Sequence, residues 1–263
     1  MKVHLVQFAP EWENKEANFF KVQKLLRQNK PEPNSLIILP EAFATGFSLN
    51  LSKTLHYEPR ETSTFLSKLS SEYKTWVLAG TIAPDKDQEL GKNLSVLFNP
   101  SGECVGEYQK MHPFTLLGEE KAHLPGKKYE LFKIGDFMLC PILCYDLRFP
   151  ELFRHGAQQG ANLFAVLASW PNARMNHWHT LLQARAIENQ AYVIGINRTG
   201  RDPNYKYAGG SKIIDPKGLT IAQANEEEQV LQSTLTYGDV VNWRSSFPAL
   251  SDIREDLIQS PKN

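Results

Sequence analysis

Short, almost wholly apolar runs alternate along this chain with longer stretches whose apolar residues recur at helical spacing. Strands buried on both faces, covered by amphipathic helices, produce that alternation. Lys2 to Ala9 reads as a strand, and Asn14 to Gln28 as an amphipathic helix with Asn14 as its N-cap. Ser35 to Leu39 is a fully apolar strand that ends in Pro40-Glu41. A helix over Ser63 to Tyr73 and a strand over Trp76 to Ile82 follow. Asn93 to Gln109 reads as a hairpin around Asn99-Pro100-Ser101-Gly102.

The second half repeats the rhythm. A strand is predicted over Phe137 to Leu143, a helix over Pro150 to Gln159, a strand over Leu163 to Leu167 and a helix over Asn176 to Gln190. A strand over Ala191 to Asn197 then precedes a hairpin around Asp215-Pro216-Lys217-Gly218. The two hairpins share a Pro-x-Gly turn between apolar strands. Two such halves predict a pseudo-two-fold sandwich of two sheets with helices outside. The tail after Asp252 is polar.

Composition narrows the class. The charges balance, with 29 Lys plus Arg against 29 Asp plus Glu, so no strong field favours a nucleic-acid or membrane partner. No apolar run reaches the roughly 18 residues of a spanning helix, and the first residues enter a strand pattern rather than a leader. Three cysteines make a poor disulfide framework, which points to a reducing cytoplasm.

The most informative segment is Leu143 to Glu151, LCYDLRFPE. Cys144 closes an apolar strand and is followed at once by polar and charged residues, which places a thiol where a strand leaves a sheet and turns toward a helix. Open α/β sheets keep reactive groups at that edge. A useful thiol nucleophile needs a base and a cation nearby. Glu41, at the end of another apolar strand, and Lys110, at the end of the first hairpin, are candidates for each role. Taken singly, each has a structural reading too: a loop acid, a snorkelling strand-end lysine, a core cysteine. Cys104 and Cys140 have only the structural reading. His177 and His179 flank Trp178 on a predicted helix and point to different faces, so no metal site is expected there. A Cys–His–Asp set using His112 or His155 has no local signature.

LPEAFATGF (Leu39 to Phe47), YQKMHPF (Tyr108 to Phe114) and CYDLRFPE (Cys144 to Glu151) together resemble the Glu–Lys–Cys signature of the nitrilase superfamily in order and spacing. ASWP (Ala168 to Pro171) and ARAIENQAYVIGINRTG (Ala184 to Gly200) resemble its second half, and the branch most similar is the omega-amidases. The resemblance implies one carbon–nitrogen hydrolase domain over residues 1–263 with a tail from about 252. It implies an α/β fold, a four-layer α-β-β-α sandwich of the nitrilase type, paired helix face to helix face into an eight-layered homodimer. It makes Glu41 the general base, Lys110 the oxyanion-stabilising cation and Cys144 the nucleophile. Glu119 becomes an additional acid; its neighbour Glu120 is the other residue that the alignment could select.

The activity implied is hydrolysis of the terminal amide of small 2-oxoacid amides, such as 2-oxoglutaramate and 2-oxosuccinamate, through a cysteine thioester and without metal or organic cofactor. Phe43, Phe114, Tyr145, Arg148 and Trp170 are the expected substrate-binding residues. Arg148, Arg198 and Arg201 are candidates for a substrate carboxylate. Many relatives carry Leu where this chain has Pro113, so the loop after Lys110 is expected to take its own course. The competing expectations are an amidase of another branch, acting on N-carbamoyl amides or deaminated glutathione, and a binding protein that keeps the fold without turnover.

Overall fold

The computed structural model describes residues 1–55, 61–85 and 89–254. The first half runs β1 (Lys2–Gln7), α1 (Lys15–Gln28), β2 (Leu36–Leu39), α2 (Leu51–Thr54), α3 (Glu61–Tyr73), β3 (Trp76–Pro84), β4 (Gly91–Phe98) and β5 (Cys104–Gln109). The second begins β6 (Phe132–Ile134), β7 (Phe137–Leu143), α4 (Pro150–Gln158), β8 (Leu163–Ala168), α5 (Met175–Asn189) and β9 (Tyr192–Asn197). It closes with β10 (Thr199–Arg201), β11 (Lys206–Ala208), β12 (Lys212–Ile214), β13 (Thr220–Gln223), β14 (Gln229–Thr234) and α6 (Tyr237–Ser246). Beyond Arg254, the tail expected from about 252 lies outside the described residues.

Two six-stranded sheets face each other, in the orders β14-β1-β2-β3-β4-β5 and β13-β12-β9-β8-β7-β6. In the first, β1, β2 and β3 are parallel and β4 and β5 antiparallel. In the second, β7, β8 and β9 are parallel and β12 and β13 antiparallel. The pseudo-symmetry expected from the two hairpins therefore holds strand for strand, with one departure. The antiparallel edge strand of the second sheet, β6, immediately precedes β7. Its counterpart on the first sheet, β14, returns from the other end of the chain and pairs along all of β1, from Lys2↔Thr234 to Gln7↔Gln229. Chain ends that zip together this way tie the two halves into one cooperative unit.

Period-two alternation sorts each central strand between two cores. Leu36 and Ile38 of β2, Leu139 and Leu143 of β7, and Leu163, Ala165 and Leu167 of β8 fill the space between the sheets. Their alternates face the helices: Ile37 and Leu39 meet Val22, Leu26, Leu66 and Leu69 of α1 and α3. Cys140, Ile142, Phe164 and Val166 meet Phe153 of α4 and Trp178 and Leu182 of α5. This is why β2 and β8 are apolar at every position: neither face sees water. The layers are α-β-β-α, and Asn14 caps α1 by accepting a hydrogen bond from the Ala17 amide at 3.1 Å. Among the described residues no helix is long and apolar enough to cross a membrane.

The helix layer lies close on the second sheet. A Cβ on Gly195 of β9 would come within 2.5 Å of Leu182 Cδ1 and 2.8 Å of Trp178 Cζ2. Gly195→Ala is accordingly expected to cost about 1–3 kcal/mol of stability, read as a lowered urea midpoint with unchanged slope.

Candidate active site

The C-terminal ends of β2, β7 and β8 and the end of β5 converge at one edge of the sandwich, where open sheets hold their ligands. Glu41 leaves β2 through Pro40, and the turn is tight: Ala42 has φ 47°. Gly80 of β3 permits it. Its amide donates to Pro40 O at 3.2 Å, its carbonyl accepts from Phe43 N at 3.1 Å, and a Cβ there would lie 2.4 Å from Glu41 Cα. Cys144 opens a 3₁₀ turn, Cys144–Arg148, directly after β7, at φ 43°. A non-glycine residue held at positive φ is strained and lifts its side chain clear of the sheet, as nucleophile elbows do. Lys110 follows β5; its amide donates to Asn93 O at 2.9 Å and its carbonyl accepts from Gly126 N at 2.7 Å.

The Lys110 side chain lies between two carboxylates. Nζ is 2.9 Å from Glu41 Oε1 and 2.8 Å from Glu119 Oε2, and all three groups are buried. Asn93 Nδ2 donates to both carboxylates at 2.9 Å. The Ser169 amide donates to Glu41 Oε2 at 3.0 Å and the Phe114 amide to Glu119 Oε2 at 2.6 Å. His123 Nδ1 is 3.3 Å from Glu119 Oε1. Burial alone would push the Lys110 ammonium down, but Glu119 and Glu41 outweigh it and hold the group above the ordinary lysine range. Burial likewise opposes ionisation of Glu119, yet Lys110, His123 and Asn93 bring its carboxyl down to about 2. The Cys144 thiol moves the other way: burial and then the Glu41 carboxylate raise it well above its usual value, only partly offset by Lys110. These effects favour the thiol form of Cys144, beside the Glu41 carboxylate, over a thiolate.

A cavity opens over these groups. Glu41, Lys110, Cys144 and Ser169 lie at its base, and the expected residues Phe114, Tyr145, Arg148 and Trp170 line its wall. Phe43 does not. It is fully buried on the helix side of the first sheet, its ring centroid 6.0 Å from both Phe19 and Phe65. The tight turn at Ala42 sends successive side chains to opposite sides, so Glu41 faces the cavity and Phe43 the core. Of the three arginines considered for a carboxylate, only Arg148 lines the cavity. Arg198 is buried over the Tyr207 ring and bonded to the carbonyls of Thr199 and Arg201; Arg201 is exposed on β10.

Sequence reasoning missed Arg174, Phe47, Leu117, Tyr205 and Tyr207, which also line the cavity. Arg174 lies between the rings of Phe114 and Tyr205, its guanidinium 5.5 and 5.6 Å from their centroids. Arg148 sits 4.6 Å from the Trp170 centroid, and its Nη1 donates to His177 Nδ1 at 3.2 Å. Neither arginine has a carboxylate partner among the described residues. Burial, and then Arg174, hold Arg148 below its ordinary value. The spacing Tyr205-x-Tyr207 was the one available signal, since alternate residues of a strand share a face. After Pro113, the Phe114 amide turns back onto Glu119, so the loop closes over the carboxylate and brings the Phe114 ring to the cavity. Among the described residues no three His, Cys, Asp or Glu side chains converge as metal ligands. His112 stacks flat on Phe149 and His155 packs edge-on to Tyr129; neither lines the cavity.

Residues 2–245 match the family model for carbon-nitrogen hydrolases. The chain belongs to that family. It is 39% identical over 232 residues to a 2-oxoglutaramate amidase of Paenarthrobacter nicotinovorans, covering 84% of this chain and 79% of that one. It is 35% identical over 260 residues to the omega-amidase YafV of Yersinia enterocolitica, covering 98% of each. Among solved structures, XC1258 from Xanthomonas campestris, a CN-hydrolase superfamily protein with an arsenic adduct in its active site, superposes with a TM-score of 0.89 at 28% identity over 97% of both chains. The protein is thus a nitrilase-superfamily carbon–nitrogen hydrolase that acts on amides.

Two outcomes follow for this hydrolase. Lys110→Leu leaves two buried carboxylates without their cation and should cost about 3–5 kcal/mol of stability by chemical denaturation at neutral pH. Glu119 has a folded-state value below its unfolded 4.5. Its contribution is therefore complete at neutral pH and is lost as the pH falls from 4.5 toward about 2. Glu119→Gln should flatten the decline in stability across that window.

Proposed function

We propose that this amidohydrolase cleaves the terminal amide of small 2-oxoacid amides, 2-oxoglutaramate and 2-oxosuccinamate, to the acid and ammonia. Glu41 takes the Cys144 proton and the sulfur attacks the amide carbonyl. Lys110 Nζ and the Tyr145 N–H, which as an early amide of a 3₁₀ turn has no acceptor within it, stabilise the oxyanion. Glu41 returns the proton to the amide nitrogen, the carbon–nitrogen bond breaks, and ammonia leaves a thioester on Cys144. Water, deprotonated by Glu41, attacks the thioester; the carbon–sulfur bond breaks and the thiol is restored. Glu119 and Asn93 keep Lys110 charged and aimed. Support for these roles comes from the Glu41–Lys110 contact at 2.9 Å and from the one cavity that Glu41, Lys110 and Cys144 all line.

The observation that carries the substrate class is the pair Arg148 and Arg174 on one cavity wall, without carboxylate partners among the described residues. Two guanidinium groups that repel one another favour an anion between them. A 2-oxoacid amide presents a carboxylate at one end and the scissile amide at the other. A simple amide lacks the carboxylate, and a simple nitrile lacks both. The relatives named 2-oxoglutaramate amidase and omega-amidase support the same class.

The reading includes a cytoplasmic homodimer with neither cofactor nor nucleic-acid partner. Ile187 of α5 and Leu219 of the β12–β13 turn, 53% and 62% exposed, support a helix-side face that a second copy covers. A monomeric mass in sedimentation at micromolar concentration would count against the dimer.

The decisive assay is ammonia release from 2-oxoglutaramate beside glutamine, an N-carbamoyl amide and a simple nitrile. Preference for the ketoacid amide, abolished in Cys144→Ala, is the expected result; preference for another amide would move the protein to a different branch. Arg174→Met should raise KM for 2-oxoglutaramate by at least about tenfold while changing hydrolysis of an uncharged amide far less.

A further inference from the structure

Asp146 has no part in the reaction just described, yet it is fully buried two residues beyond the nucleophile. Its carboxylate accepts three hydrogen bonds, all from one short segment. Tyr108 OH donates to Oδ2 at 2.7 Å, the His112 amide to Oδ1 at 2.9 Å, and His112 Nδ1 lies 2.7 Å from the same oxygen. Because an ionised carboxylate only accepts, Nδ1 carries a proton. The donors bracket Lys110. Tyr108 is fully buried in the core between the sheets, and His112 lies flat on Phe149, ring centroids 3.6 Å apart.

We propose that Asp146 is a positioning residue for amide hydrolysis, locking the Lys110 segment to the Cys144 turn so that the two oxyanion donors keep one fixed spacing. The inference rests on the mechanism proposed above. Lys110 Nζ and the Tyr145 N–H belong to different sheets, and the parts of chain that carry them, 108–112 and 144–146, are the two that Asp146 joins. Apolar contact could hold the sheets together but would leave their relative position soft by fractions of an ångström. Three directed bonds to one carboxylate fix both distance and angle. Oxyanion donors act only when placed before the charge develops, so such a loss of register falls on the transition state. The same bonds oppose relaxation of the strained φ at Cys144.

His112 and Asp146 resemble the base and orienting acid of a Cys–His–Asp set, but His112 is stacked on Phe149 outside the cavity. The groups that line the cavity with Cys144 are Glu41, Lys110 and Ser169, whose amide bonds Glu41. The pair serves the oxyanion side of the reaction rather than the proton-accepting side.

The test compares Asp146→Asn and Tyr108→Phe with wild type on whichever amide the wild type hydrolyses fastest, beside alkylation of Cys144 by iodoacetamide. Tyr108→Phe removes one donor and keeps the ring, so it carries the test if Asp146→Asn does not fold. Expected are falls in kcat of about tenfold for Tyr108→Phe and about 100-fold for Asp146→Asn. KM and the alkylation rate should stay within about twofold of wild type. Folded variants with wild-type kcat would overturn the inference, as would parallel loss of kcat and alkylation, which marks a collapsed turn. A wild type that prefers an amide other than a 2-oxoacid amide refutes the substrate assignment alone, because the split between kcat and alkylation is still read on that amide. Turnover that survives Cys144→Ala would remove the mechanism and this inference together.

Discussion

Everything at the catalytic edge depends on one buried ammonium between two buried carboxylates. Lys110 with either acid alone would be an ordinary ion pair of doubtful net value, because desolvation cancels most of the attraction. With Glu41 on one side, Glu119 on the other and Asn93 donating to both, each charge finds directed partners. Glu41 and Lys110 arrive on the first sheet, while the Ser169 amide that bonds Glu41 comes from the end of β8 on the second. The network is thus a joint between sheets as well as, on the proposed reading, a set of reacting groups. This explains why so polar a cluster persists where apolar packing would hold the layers equally well.

The fold was largely legible because the strongest sequence signal coincides with the strongest physical constraint. Fully apolar β2, β7 and β8 are buried on both faces, and helical periodicity located α1, α3, α4 and α5 within a few residues. The elements that were missed are those with little burial to write into sequence. β6 and β10 are three residues long, and β14 is only partly buried along its length. Only β14 takes its position from a distant strand, β1; β6 and β10 belong to hairpins with strands too short for a period of two to register.

Legibility of the site divides along the same line. Glu41, Lys110 and Cys144 stand at strand ends that periodicity marks, but it was the resemblance of their three motifs to the nitrilase signature that implied that they lie together. Phe43 shows where that inference stops. Its place within the Glu41 motif suggested the cavity, but a reversal at Ala42 turns it into the helix-side core. Arg174 carried no signal, since a lone arginine after Trp-Pro has no period and no motif of its own. Its role emerges only from two aromatic rings contributed by the loop after Lys110 and by the β10–β11 hairpin.

The charges along the cavity also imply an orientation. At the base, two carboxylates and one ammonium leave a formal charge of −1. Half-buried Arg148 and Arg174 put two positive charges on the wall. On the proposed reading, a substrate with an anion at one end and a neutral amide at the other is drawn carboxylate to the arginines and repelled from entering that end first. The same gradient favours departure of neutral ammonia over ammonium, which the basal negative charge would retain. On the same proposed reading, the product dicarboxylate has one carboxylate facing the acidic base, an electrostatic reason for it to leave. On that reading, the charge that keeps Lys110 protonated has a second effect, distinguishing substrate from product by the one group that the reaction changes.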